Sequence, residues 1–160
     1  MRLVTTARRP GASAVETALV LGVLLVLVFG LIAGGTGVFR QQQMECLACE
    51  GARWASARAG DYQKDTNGPC PTAQQIADRA VAPLAVGVDP AALGVKVEWI
   101  DGATNTAWDW DAAPKDVRSV TASGEYVTNS VRVTVTYQWA PGTFWSPRAI
   151  GGVCVMPLSN

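Results

Sequence analysis

The chain has 160 residues, 13 basic and 13 acidic side chains, 49% hydrophobic residues and no histidine. That length suits one domain of ordinary size, and a net charge of zero argues against a nucleic-acid partner, because neutralising phosphates needs a basic excess on some face. Without histidine there is no Ser-His-Asp triad, no Cys-His dyad, no imidazole zinc site and no histidine acid/base. An enzyme built here would have to rely on carboxylates, Lys or Cys, and with the features below the expectation is a protein that is not an enzyme and carries neither cofactor nor metal.

Residues 1–10 hold Arg2, Arg8 and Arg9 and no acid. From Thr17 to Phe39 no residue is charged, and Arg40 closes the run. As a helix, that run reaches about 34 Å at ~1.5 Å per residue, against a hydrocarbon core of ~30 Å. The segment reads as one membrane-spanning helix. Basic residues before it and only Arg40 directly after it place the N-terminus in the cytoplasm and residues 41–160 outside.

Two simpler readings compete: a secretory signal peptide cut near Ala33-Gly34-Gly35, and an uncut anchor. Neither accounts for Glu16, a carboxylate at the edge of the apolar run, where an ionisable group calls for a partner. A peptidase cut after Gly11 supplies one. The mature chain then starts at Ala12 with a free ammonium group, and Glu16 becomes its fifth residue. When such helices pack side by side, Glu16 of one subunit meets the Ala12 ammonium of the next, which neutralises two charges and fixes the axial step.

The stretch Gly11-Ala12-Ser13-Ala14-Val15-Glu16-Thr17-Ala18-Leu19-Val20 resembles the start of the TadE-like pseudopilins of the tight-adherence (Tad) pilus system. The likeness resumes at Ala48-Cys49-Glu50-Gly51-Ala52-Arg53, similar to an Ala-x-Glu-Gly-Ala-Arg stretch of that family, and Met156-Pro157 is a weaker echo. Two features depart from the family: Thr17 stands where Phe or Tyr is usual, and the acidic residue that often ends the family's membrane helix is missing. The resemblance implies a prepilin-type substrate cut by a prepilin peptidase after Gly11, and a minor subunit in pilus assembly. Its implied partners are other Tad pilins and pseudopilins, the inner-membrane assembly platform and membrane lipid. The implied location is the inner membrane in a single pass, with the outer domain periplasmic or extracellular.

The apolar helix contains Gly30-x-x-x-Gly34, a spacing that lets two membrane helices approach closely, although glycine is common in membrane helices in any case. With Gly35 and Gly37 nearby, this is where the helix is expected to bend or open. One long helix is expected over about residues 13–59, stopped by Gly60-Asp61, with Leu47, Trp54 and Arg58 on a face that covers a sheet. The organisation is a basic leader 1–11, a membrane helix 12–39 and an outer domain 40–160.

Lys64 to Pro71 reads as loop. Thr72-Ala73-Gln74-Gln75 has the form of a capping box opening a second helix that Pro83 ends, with Ile76, Ala80, Val81 and Leu84 buried. Gly87 to Gly94 is a turn-rich link. Val95 to Ile100 alternates with Val95, Val97 and Trp99 on one face, and Val131 to Trp139 alternates throughout. Ala149 to Met156 is its expected partner, joined through Pro141-Gly142 and Ser146-Pro147. Val117–Val120 or Tyr126-Val127 supplies one more short strand. Helices first and strands afterwards give an α+β fold, with an antiparallel sheet of three to four strands behind a long N-terminal helix, a pilin-like plan.

Cys46, Cys49, Cys70 and Cys154 all fall on the outer side, where disulfides persist. Four cysteines allow three pairings. Cys46 and Cys49 share one helical turn, so both are expected to reach outward, with Cys49–Cys70 and Cys46–Cys154 favoured. Thiol-redox and Cys₄ zinc roles fit the spacing poorly. Trp108-Asp109-Trp110-Asp111 raises a sugar or cation site, but packed indoles with wetted acids fit it better. The competing functional reading is a permanently anchored outer domain binding an unknown ligand, with envelope glycans held by Trp108 and Trp110 as one version.

Overall fold

The computed structural model describes residues 10–60, 62, 65, 68–140 and 146–159, with only the backbone of Pro10 and Ala12. Arg2, Arg8 and Arg9 of the leader, Lys64 and Asn67 of the expected loop, and Pro141-Gly142 lie outside the described residues. The chain divides into two compact units, Met1–Val38 and Phe39–Asn160. Helix α1 runs Pro10–Ser56 and contributes to both.

In the first unit α1 is apolar on every side. Leu19 (68%), Phe29 (64%) and Leu31 (78%) are exposed at different angles around the axis. A helix apolar all round is stable only inside a core or a bilayer. Among the described residues this is one helix long and apolar enough to cross a membrane. It stays helical through Gly30, Gly34, Gly35 and Gly37, so the expected opening there is not seen.

The second unit is a layer of helix on an antiparallel sheet. After α1 come helix α2 (Ala73–Ile76), a π-helical turn (Ala77–Val81), and 3-10 turns at Ala82–Leu84 and Pro90–Ala92. Strands are β1 (Leu93–Ile100), β2 (Ala107–Asp109), β3 (Arg118–Val120), β4 (Tyr126–Thr128), β5 (Ser130–Trp139) and β6 (Arg148–Pro157). The main sheet has the order β2-β1-β5-β6, and β3-β4 forms a separate hairpin closed at Gly124 (φ 86°). The fold is α+β, as the alternating runs require. Val97 pairs with Val133 and Val133 with Cys154, so the core face of β5 is Val131, Val133 and Val135, all fully buried.

The helix face on the sheet differs from the expected one. Leu47 is buried as expected, with Met44, Ala48, Gly51, Ala52, Ala55, Ser56 and Ala59 as the other buried positions of 44–59, while Trp54 and Arg58 lie half-buried on a flank. The reason is separation. A Cβ on Gly51 would stand 3.1 Å from Val81 Cγ2 and 3.2 Å from Val133 Cγ1. On β6, a Cβ on Gly152 would fall on the backbone of Met44 and Glu45. Alanine and glycine let backbones approach, and the tryptophan has no room there.

The Thr72 capping box forms as expected, with Thr72 Oγ1 accepting from Gln75 N at 3.2 Å and Gln75 Oε1 accepting from Thr72 N at 3.1 Å. Ile76, Ala80 and Val81 are buried, but Leu84 is 49% exposed. The π turn and the 3-10 turn shift the helical phase, so Ala85 closes the buried stripe in place of Leu84. Asn129, with no exposed surface, ties three segments. Its Oδ1 accepts from Gly102 N, its Nδ2 donates to Asp116 O, both at 2.8 Å, and its backbone O accepts from Leu158 N at 2.9 Å.

Gly152→Ala forces the helix off β6. It should cost about 2 kcal/mol or more, a fall in melting midpoint of roughly 5–15 °C. An unchanged melting curve would show that the close approach is dispensable.

Candidate functional site

Three groups of residues bear on function, and each is held by a different part of α1. At its start, Gly11 and Glu16 are exposed, and Glu16 has no ion-pair partner among the described residues. Thr17 turns its hydroxyl back to Ser13 O at 2.8 Å, which satisfies it within an apolar helix. Gly30 and Gly34 have open space where a side chain would stand. The bare strip that two helices need for close approach is therefore present, with no described residue within 4 Å of it.

At the other end lies Glu50-Gly51-Ala52-Arg53, which splits by side. Gly51 and Ala52 turn inward to the sheet, and Glu50 and Arg53 form an outward ion pair at 3.0 Å. That pair borders a groove of about 350 Å³ between α1 and the 77–84 turns, lined also by Trp54, Arg58, Arg79 and Leu84. The Arg58 guanidinium lies over the Trp54 ring, 4.2 Å from its centre, so the indole packs between a cation and the edge of the core. Arg40 and Gln43 on the same flank hold the carbonyl of Val86 at 3.3 and 2.8 Å.

The cysteines are all free thiols. Cys46 is exposed, and Cys70 donates to Ala59 O at 3.4 Å, so the expected Cys49–Cys70 and Cys46–Cys154 pairings are not the arrangement found. Cys154 instead neighbours Cys49. Partial burial, and then the Cys49 thiol, push the Cys154 thiol up to about 11. The expected partner for Cys154 was Cys46 on the same helical turn; which of the two faces β6 depends on how the helix is rotated on the sheet, and spacing in sequence does not give that.

The Trp-Asp-Trp-Asp run is structural. Trp110 is fully buried and donates Nε1–H to Pro71 O at 2.7 Å. Asp111 Oδ1 accepts from Ala73 N at 2.9 Å and so caps the first turn of α2. With Trp110 in the core, Trp108 (51% exposed) stands alone, and the two-indole sugar site does not exist. Among the described residues no three acidic, cysteine or histidine side chains gather around one point.

On the sheet's open face Glu98 is held by Arg132 and Lys96, each at 2.8 Å. The hydrogen bond from Arg132, then that from Lys96, holds its carboxyl below the usual 4.5 against the opposing cost of burial. A depressed carboxylate contributes stability that is present above the unfolded-state value and lost as pH falls through the folded one. Glu98→Gln should therefore lower stability at pH 7, with the penalty shrinking below about pH 4.5. A penalty that stays constant from pH 7 to pH 3 would contradict this role.

The family model described as TadE-like protein matches residues 11–53. No curated protein and no solved structure matches the chain. The matched segment opens at Gly11, takes in Glu16 and the uncovered apolar helix, and closes on Arg53 of the outward ion pair. Over residues 11–53 the chain is similar to the TadE-like family.

Proposed function

We propose that the chain is a minor pseudopilin of a Tad-type pilus system, with a structural and not an enzymatic role. The observation that carries this reading is the family match from Gly11 to Arg53 on a helix whose first half is apolar on all sides. That half gains nothing from water. It belongs in lipid before assembly and among other pilin helices afterwards.

In this reading a prepilin peptidase cuts after Gly11. The leader arginines hold the N-terminus in the cytoplasm, and residues from about 40 onward stand in the periplasm or outside the cell. Loss of three arginines takes the formal charge from 0 to −3, since 10 bases then face 13 acids. The new Ala12 ammonium of one subunit meets Glu16 of its neighbour. The exposure of Glu16 supports this, because a carboxylate at the lip of an apolar rod has its partner still to come. Gly30 and Gly34 offer a contact strip for a second helix. The inner-membrane assembly platform and other Tad pilins are the partners, and helping to initiate or assemble the filament is the task, with adhesion as the system's downstream use. The permanently anchored binding domain is less well supported, since its indole pair is dismantled by the burial of Trp110.

N-terminal sequencing of the protein from membranes tests the cut. The expected first residue is Ala12; a start at Met1, or a cut near Ala33, overturns the reading. In the same cells Glu16→Ala should leave membrane insertion intact and reduce co-purification with partner pilins by about tenfold or more, the equivalent of ~1.4 kcal/mol. Undiminished co-purification removes the pairing role of that carboxylate.

A further inference from the structure

Helix α1 and strand β6 run side by side in the same direction, and the contacts between them form a ladder. Gln41 Nε2 donates to Gly151 O at 2.7 Å, Gly152 lies under the backbone of Glu45, and Ser56 Oγ donates to Pro157 O at 2.8 Å. From Glu45 to Ser56 the helix advances about 16 Å at ~1.5 Å per residue, and from Gly152 to Pro157 the strand advances about 16 Å at ~3.3 Å per residue. The two elements therefore keep step.

Within this ladder, four residues along the helix and two along the strand each advance ~6 Å and return to the same face. Starting from Glu45 over Gly152, that step arrives at Cys49 over Cys154. Both are half-buried, and Cys154 packs against the core on the strand position opposite Val133. Cys46 is turned away from this flank into solvent, and Cys70 is occupied with the Ala59 carbonyl.

We propose that Cys49 and Cys154 are a disulfide-forming pair, closed by a disulfide-bearing oxidant on the outer side of the membrane, and that Cys46 and Cys70 remain thiols. The sulfur of Cys49, as thiolate, attacks one sulfur of the oxidant's disulfide and expels the other as a thiolate. Cys154 sulfur then displaces the oxidant's remaining half from Cys49. Two electrons pass to the oxidant, which leaves as two thiols, and the two cysteine protons end on those two thiols, one of them by way of solvent. The bond ties the helix to the edge strand at mid-ladder, where Gly152 already forces the closest approach. It closes a loop of about a hundred residues, the regime in which a crosslink restricts the unfolded chain most. The compartment rests on the membrane topology proposed above; the pairing does not.

The test uses the full-length chain, isolated from membranes with thiols blocked at lysis, and a parallel reduced sample treated with oxidised glutathione in detergent. Digestion after Arg and Lys releases residues 41–53, holding both Cys46 and Cys49, and the C-terminal peptide from Ala149, holding Cys154. The expected result is these two peptides joined in both samples. The link should persist in Cys46→Ser and vanish in Cys49→Ser and in Cys154→Ser. Oxidation should also raise the melting midpoint of the wild type and leave that of Cys154→Ser unmoved. A link that needs Cys46 or Cys70, or four free thiols after glutathione treatment, overturns the pairing. Thiols that close in detergent but are free in the membrane sample overturn its closure in the cell. A chain that begins at Ala12 with both thiols free contradicts this inference alone, and a chain that begins at Met1 with the bond closed contradicts the pilus reading alone.

Discussion

Along α1 and the turn that follows it, the positions Ala48, Gly51, Ala52, Ala55 and Ala59 carry no side chain larger than a methyl group, and all of them are buried. This lets the helix backbone descend onto Val133 of β5 and onto Gly152 of β6. Dispersion rewards such closeness only when the surfaces fit, and a single added carbon at Gly152 has nowhere to go. The flanks of the helix follow from that depth. One flank meets β6 through Gln41, Cys49 and Ser56. The other meets the 77–84 turns and leaves Trp54, Arg58 and the Glu50–Arg53 pair around a groove.

The same helix obeys opposite rules in its two halves. From residue 44 to 56 its buried residues Met44, Leu47, Ala48, Gly51, Ala52 and Ala55 form one stripe and are spent on the core. From Val15 to Phe39 the apolar residues cover every side, and the large ones are exposed. The first pattern makes a folded domain and the second makes a demand for lipid or for other helices. The similarity to the TadE-like family runs from Gly11 to Arg53 and so takes in part of both halves, the bare one and the one packed on the sheet. Glu16 at the rod's beginning and the glycine strip at Gly30 and Gly34 are features a partner helix would use.

Much of the architecture was legible because it depends on local periodicity. The period-two run Val131–Trp139 became a strand with its valines buried, and Thr72 with Gln75 became a capping box. The failures have physical causes. Leu84 has the spacing of a core residue, but a π turn rotates it outward, and no local pattern announces that turn. Trp54 looks like the natural core residue of α1 because it is large, whereas a helix pressed hard against a sheet selects small ones. Gly151-Gly152 inside a strand was the available signal of close approach, and it points to the correct place. Asn129 and the Cys49–Cys154 neighbourhood join segments far apart in sequence, so only the assembled fold brings their partners into view. The candidate site divides likewise: Gly11, Glu16 and residues 50–53 could be named from the chain, but the inward and outward halves of the 50–53 motif could not.

If the small-residue face is what holds the outer domain together, the helix from Met44 to Ser56 and the central strand must open as one cooperative unit. Amide hydrogen exchange of the full-length chain in lipid bilayers measures this directly. The prediction is that the amides of residues 44–56 exchange with the same opening free energy as those of Val131 to Val135. Exchange of the helix segment about a hundredfold faster than the strand would mean that the helix is an accessory to the sheet and that the packing described here is not its foundation.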